Sequence, residues 1–273
     1  MVKKLFKYEF TSYLKTLIPF NIVLLSVAAF TRIIQFFDLD IPGYDVVYDI
    51  VFSLSTMTYF LAIVACFAAV FVMAVIRFYK NLYTAEGYLS FTLPVTPAQH
   101  IFVKLATAVA LMLLTVVSTI VSFAIFSAGE LGIEVVKAGG YLFKKLYEVT
   151  GISLWFYIPE LILVFTASLA TSLLFYYTCI SLGQLFKKNR ILGAFGVYFI
   201  FYIATQILNT IVMVIWTILA GSGVFDKMWE FIGDNIIAVL HFVFVGSAVL
   251  FAAVSVGHFF INRLIMLKKL NLE

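Results

Sequence analysis

Apolar residues run through this chain in long blocks and not in alternation. Six blocks stand out: 17–37, 50–76, 104–127, 158–183, 191–220 and 236–261. Each is near or above the roughly 20 residues a helix needs to cross a bilayer. None shows the short alternating segments of a membrane β-barrel. The pattern predicts an all-α, polytopic integral membrane protein. It would form a single transmembrane domain over 1–273 with six transmembrane helices.

The intervening segments have their own patterns. In residues 1–16, Val2, Leu5, Phe6, Phe10, Tyr13, Leu14 and, just beyond, Leu17 recur at helical spacing, while Lys3, Lys4, Lys7, Thr11, Ser12 and Lys15 fill the other side. That predicts an N-terminal amphipathic interfacial helix, with Pro19 permitting a turn into the first span. A plain basic anchor for that span is the alternative. The opening is basic, as in a signal peptide, but the apolar run to Phe37 exceeds a signal h-region. Segment 128–157 contains GIEVVKAGGYLFKKLYEVTG, which predicts short amphipathic pieces broken at Gly139–Gly140. Segment 221–235 holds Trp229, an interface anchor by type.

Composition supports the membrane reading. The chain is 64% hydrophobic and 12% charged, whereas soluble domains average about half and about a quarter. Charge placement then selects an orientation. With the N-terminus in the cytoplasm, Lys3, Lys4, Lys7, Lys15, Arg77, Lys80, Lys104, Lys187, Lys188, Arg190, Arg263, Lys268 and Lys269 lie inside. Only Arg32, Lys137, Lys144, Lys145 and Lys227 lie outside. The positive-inside rule therefore predicts both termini in the cytoplasm. The net charge of +4 follows from topology and calls for no nucleic-acid partner.

Chemistry-bearing motifs are sparse. The acidic gap DLDIPGYDVVYD, residues 38–49, grazes a calcium-loop pattern through Asp38, Asp40, Gly43 and Asp49. Pro42 offers no side-chain oxygen, and Asp49 replaces the bidentate Glu, so a solvated Pro-Gly turn is the better reading. No GxxxxGK[ST] motif is present to cradle ATP phosphates. His100, His241 and His258 do not pair at metal-ligand spacing. Cys66 and Cys179 sit singly in apolar runs, which makes neither a disulfide framework nor a metal site. The expectation is a chain with no catalytic residue, metal or cofactor of its own. Arg32 and Glu160 read as interfacial charges, the first snorkelling and the second suiting a helix N-terminus. Gln206 and Asn209 are different: three apart on one face near the centre of the fifth span, they call for another helix or a watery path.

The most informative polar stretch is EGYLSFTLPVTPAQ, residues 86–99. Leu82, Ala85, Leu89 and Thr92 or Leu93 recur at helical spacing, with Gly87 a weak point. Pro94 ends that helix. Thr96, Pro97 and Gln99 restart one as cap, first helical residue and capping-box partner. A short helix held at the membrane surface between two spans is a docking element for something soluble.

RFYKNLYTAEGYLSFTLPVTPAQHIFVKL, residues 77–105, resembles the cytoplasmic segment between the second and third spans of type-2 ATP-binding cassette (ABC) exporter permeases. It is especially similar to uncharacterised permeases of Gram-positive bacteria. The shared features are Glu86, Gly87, Leu89, Leu93, Pro94, Val95, Pro97 and Lys104. Six spans and an amphipathic N-terminal helix also match that family. The motif-level likeness covers about thirty residues. The short segment GSGVFDKMWEFIGDN departs from the family's re-entrant piece before the last span.

The resemblance implies that 77–103 is a cytoplasmic coupling segment seated in a separate ABC ATPase subunit. Glu86 would face basic groups there, with Tyr88, Leu89 and Phe91 as apolar contacts. ATP and Mg would be bound by that partner. Two permease copies, or this chain and a sister permease, would rock between states in the plasma membrane of a bacterium. Spans two and five would line the path, which adds weight to Gln206 and Asn209. An aromatic-rich bundle with few charges suits an apolar or amphipathic cargo such as a peptide, drug or lipid. A non-transporting membrane scaffold or sensor docking a soluble cytoplasmic partner is the alternative. A secondary transporter comes third, since midplane ionisable groups and broken helices are not evident.

Overall fold

The computed structural model describes the chain apart from residues 37–44, 129, 152–153, 187–188, 224–227, 229, 234 and 269–273. Most of the acidic gap, and Trp229, therefore lie outside the described residues. In chain order the helices are α1 (Val2–Phe36), α2 (Asp45–Tyr83), α3 (Ala85–Thr92), α4 (Pro97–Phe126) and α5 (Glu130–Thr150). A 3₁₀ turn (Leu154–Phe156) leads into α6 (Tyr157–Gly183), α7 (Arg190–Gly221) and α8 (Ile236–Lys268). No strand occurs among the described residues. Six helices, α1, α2, α4, α6, α7 and α8, are long and apolar enough to cross a membrane. Their outer faces carry Leu61, Val64, Ile120, Leu163, Leu208 and Phe242, all more than half exposed. Contiguous apolar surface on this scale suits lipid and not water. The chain is a multi-pass membrane protein, as the block pattern predicts.

The helices gather into two compact units. The first is Met1–Arg77 with Phe102–Lys145; the second is Phe78–Ile101 with Leu146–Glu273.

In the first unit, Leu24 and Ala28 of α1 pack with Tyr59 and Cys66 of α2 and Phe126 of α4. Tyr59 and Phe126 stack with centroids 4.7 Å apart. Hydroxyls inside this apolar core find partners, as burial requires: Tyr59 meets Ser122 at 3.1 Å, and Thr31 donates to the Ser55 carbonyl at 3.3 Å.

One expectation fails here. Residues 1–16 are not a separate element, because α1 runs unbroken through Pro19. A proline inside a helix forfeits one hydrogen bond and costs about 3 kcal/mol. Packing on both sides outweighs that cost. Tyr13 and Leu17 before the proline, and Leu24, Ala28 and Thr31 after it, form one buried stripe. A turn at Pro19 would split that stripe.

The predicted break at Gly139–Gly140 is also absent, since α5 is continuous over 21 residues. Neither glycine takes a left-handed backbone. Two glycines cost about 1 kcal/mol each against alanine. The amphipathic patterns on either side are in phase, so a single helix satisfies both.

The second unit centres on α6 packed along α8, with α7 against α6. At the α6–α7 joint, glycine is required. A Cβ on Gly183 would lie 2.6 Å from the Ala194 backbone nitrogen, and Asn189 turns the chain in the left-handed region at φ 56°. Below Gly183, Thr171 bridges the two long helices, meeting Ser255 at 2.8 Å and donating to the Phe251 carbonyl at 2.9 Å.

Candidate docking segment and its anchors

α2 is 39 residues long, about 58 Å at 1.5 Å per residue, against a hydrocarbon core of about 30 Å. The helix is therefore longer than the hydrocarbon is thick and must tilt or extend past it; it stops at Tyr83. The stop is made locally. The Thr84 hydroxyl donates back to the Lys80 carbonyl at 2.6 Å, satisfying an end of α2. It is thereby lost to α3, whose first turn has no side-chain cap; the Thr84 backbone is extended at φ −111°, ψ −170°. Glu86 in the first turn of α3 suits the helix dipole there.

α3 then presents two faces. Glu86 is exposed, as are Tyr88 and Leu89, the latter to 74%. Gly87 is the buried residue of α3, so it marks the inward face, and the helix runs through this weak point. Phe91 is half-buried and meets the His100 ring edge-on at 5.7 Å, so it packs on its own chain. Leu93 ends the helix in an extended conformation at ψ 142°, as a residue before proline should. Exposed Pro94 follows, and the Val95 amide donates to the Leu93 carbonyl at 2.8 Å, a tight turn around the proline. Pro97 opens α4. The capping box forms: the Thr96 amide donates to Gln99 Oε1 at 2.9 Å, and the Gln99 amide donates to Thr96 Oγ1 at 3.4 Å. The stop and restart expected from Pro94, Thr96, Pro97 and Gln99 are present, with Leu93, Pro94 and Val95 forming the corner.

What the sequence did not reveal is how firmly the roots of this segment are held. In the second unit, Tyr83 is buried and donates to Ser181 at 2.7 Å. Ser181 donates to Asn262 Oδ1 at 2.6 Å. Asn262 Nδ2 donates to Thr178 Oγ1 at 3.0 Å and to the His258 carbonyl at 2.9 Å. Thr178 also meets His258 Nδ1 at 3.1 Å. One turn earlier in α2, Phe78 stacks flat on Tyr177 with centroids 3.8 Å apart. A connected polar ladder thus joins the end of α2 to α6 and α8. Buried networks of this kind are stabilising only when every member is satisfied.

In the first unit, Glu9 of α1 holds the other two roots. Its carboxylate accepts from Lys104 Nζ at 2.8 Å and lies 3.5 Å from Arg77 Nη2. Arg77 donates to Ser12 at 3.0 Å and lies over the Tyr13 ring at 5.3 Å, while Tyr13 donates to the Val70 carbonyl. Arg77 and Lys104 are the two cations that bracket the segment in sequence. Their common partner, 95 residues from Lys104, carries no sequence signal beyond being an acid among lysines.

The remaining candidates lie elsewhere. Gln206 and Asn209 share a face of α7 and are both exposed. Arg32 donates to Gln35 at 3.1 Å. Glu160 does more than complement a helix end: its Oε1 lies 2.6 Å from His241 Nδ1 of α8, whose ring stacks on Tyr157. Among the described residues, no group of three or more His, Cys, Asp or Glu side chains is arranged to hold a metal. No family model matches the sequence, and neither a curated protein nor a solved structure matches it.

Proposed function

We propose that this chain is the membrane-spanning permease subunit of an ATP-driven ABC exporter, with α3 as the element that docks a separate ATPase subunit. The observation that carries the reading is α3 itself. It is a short helix cut off from both neighbouring spans, with Glu86, Tyr88 and Leu89 outward and its roots on α2 and α4 tied to α1, α6 and α8. A surface loop needs no such anchorage, but an element that must transmit force does. In this reading both termini and the first turns of α1 lie on the cytoplasmic side of a bacterial plasma membrane. ATP and Mg belong to the partner, and this chain is not itself an enzyme. Closure of two ATPases pushes α3 and shifts a two-state helix bundle between inward and outward access. Exposed Gln206 and Asn209 face a second permease copy, a sister permease or the transport path, because amides are costly against lipid. The cargo is an apolar or amphipathic molecule such as a peptide, drug or lipid.

The test is purification of the tagged chain in mild detergent from its native cell, with identification of what co-purifies. The expected result is a stoichiometric soluble protein carrying a P-loop, lost when Glu86→Ala and Leu89→Ala are combined. A preparation whose soluble partner lacks a P-loop supports a scaffold instead. A preparation without any ATPase removes the power source and overturns the exporter reading.

A further inference from the structure

α5 has no role in the docking segment, yet among the described helices it is the most strongly two-faced. Its 21 residues place every charge on one side. At 100° per residue, Lys144, Lys137, Glu130, Glu148, Glu134 and Lys145 fall within an arc of about 100°. Tyr141 is the uncharged residue among them. The opposite arc carries Val136, Leu142, Phe143 and Tyr147, all more than half exposed. The described side chains of both arcs are exposed, so these apolar residues are not part of this chain's core.

We propose that α5 lies on the lipid surface, its apolar arc sunk at the headgroup boundary and its charged arc in water. Three observations select lipid as the occupant. First, α5 continues a surface that already faces lipid. Val117, Ile120 and Val121 of α4 are exposed and apolar, and Phe126 is the last residue of α4. Four peptide steps later α5 begins, so its start is at most roughly 14 Å from the end of α4. Second, the charge pattern is that of an interfacial helix: a strongly charged face opposite aromatic and aliphatic residues, with length no discriminator. Third, three lysines balance three glutamates over Glu130–Thr150, so binding rests on apolar burial and does not require anionic lipid. Trp155 and Phe156 of the following 3₁₀ turn are exposed as well, Trp155 being of a type common at membrane interfaces. The inference is independent of any ATPase partner.

Spin labels on the full chain in phosphatidylcholine vesicles test this, with Cys66 and Cys179 replaced by alanine. Labels go singly at Val136, Phe143 and Tyr147, and at Lys137, Lys144 and Glu148. All six positions are exposed, so labelling leaves the packing intact. The expected result is a severalfold excess of collisions with oxygen over a water-soluble nickel complex at the first three, and the reverse at the second three. Phe143→Lys in the Val136-labelled chain should raise the nickel collisions there. Equal nickel access on both arcs would mean that α5 stands in solvent. An apolar arc closed to both reagents would mean a protein occupant, such as a second copy. A dependence on added phosphatidylglycerol would overturn the neutral-surface argument. Each of these three results defeats the proposal.

Discussion

The roots of segment 77–104 are held by two anchors of different chemistry. In the first unit, Glu9 binds Lys104 and Arg77, so the anchor is ionic. In the second, Tyr83, Ser181, Asn262, Thr178 and His258 are joined by hydrogen bonds alone. Burying a charge costs far more than burying a hydroxyl or amide. An ionic anchor is therefore tolerable only where both cations converge on the acid and some water reaches the site. The Arg77 side chain is 25% exposed, while Lys104 is 6% exposed. Ser181 and Asn262 have no exposure at all, and there the chain uses neutral groups. The difference teaches where strain would be released first: an ionic anchor fails abruptly when one member is lost, a neutral ladder by steps.

The largest effect should come from breaking the ionic anchor. Removing one member of a buried ion pair costs about 3–5 kcal/mol because the other charge is stranded. Partial exposure of Arg77 places Glu9→Ala near the low end, at about 3 kcal/mol. Unfolding of the purified chain in mixed micelles would measure it. Glu9→Ala should behave far worse than Lys3→Ala, an exposed residue of the same helix. A loss no larger than that control would remove Glu9 as an anchor.

Asn262→Leu is next. It keeps the branched shape but removes the acceptor of the Ser181 hydroxyl and a donor to Thr178, which keeps its bonds to the Leu174 carbonyl and His258. Stranded buried groups cost about 1–3 kcal/mol, and hydrogen bonds between membrane helices average nearer 0.6 kcal/mol. An outcome of about 1–2 kcal/mol in the same assay would confirm stepwise failure. A loss matching Glu9→Ala would erase the contrast between the anchors.

Legibility in the sequence divides along the same line as range in the chain. The corner at Leu93–Pro94, the capping box of Thr96 with Gln99 and the six apolar blocks are local, and each was readable from residue type and spacing. The errors at Pro19 and Gly139–Gly140 came from treating a local breaker as decisive where a continuous buried or amphipathic stripe overrides it. Glu9 with Lys104, Tyr83 with Ser181 and Glu160 with His241 are separated by 95, 98 and 81 residues. No periodicity connects such pairs. Gln206 and Asn209 were found because an amide inside an apolar block is conspicuous, but what covers them does not follow from this chain.

A double-mutant cycle sharpens the neutral anchor. Tyr83→Phe and Ser181→Ala should each destabilise, and the pair should show a coupling of about 0.6–1.7 kcal/mol, the range seen between membrane helices. Additivity would mean that the 2.7 Å contact contributes packing and no bond, and the ladder would then start at Ser181.

The smallest effect on stability belongs to the docking face, and that is its use as a control. Leu89 is 74% exposed, so Leu89→Ala removes almost no buried area. Surface substitutions of this kind fall within about 0.5 kcal/mol. The anchor variants, in contrast, should lose stability and partner binding together, since both follow from misplacing α3. Leu89→Ala should leave unfolding unchanged while reducing recovery of the soluble partner. Measured side by side on the same preparations, these two readouts separate a residue that holds α3 from one that α3 presents. If Leu89→Ala destabilises the chain as Asn262→Leu does, the residue is structural and α3 has no free face to dock. If it leaves both readouts unchanged, the partner reads Glu86, about one turn nearer the start of α3, or the neighbouring Tyr88 instead.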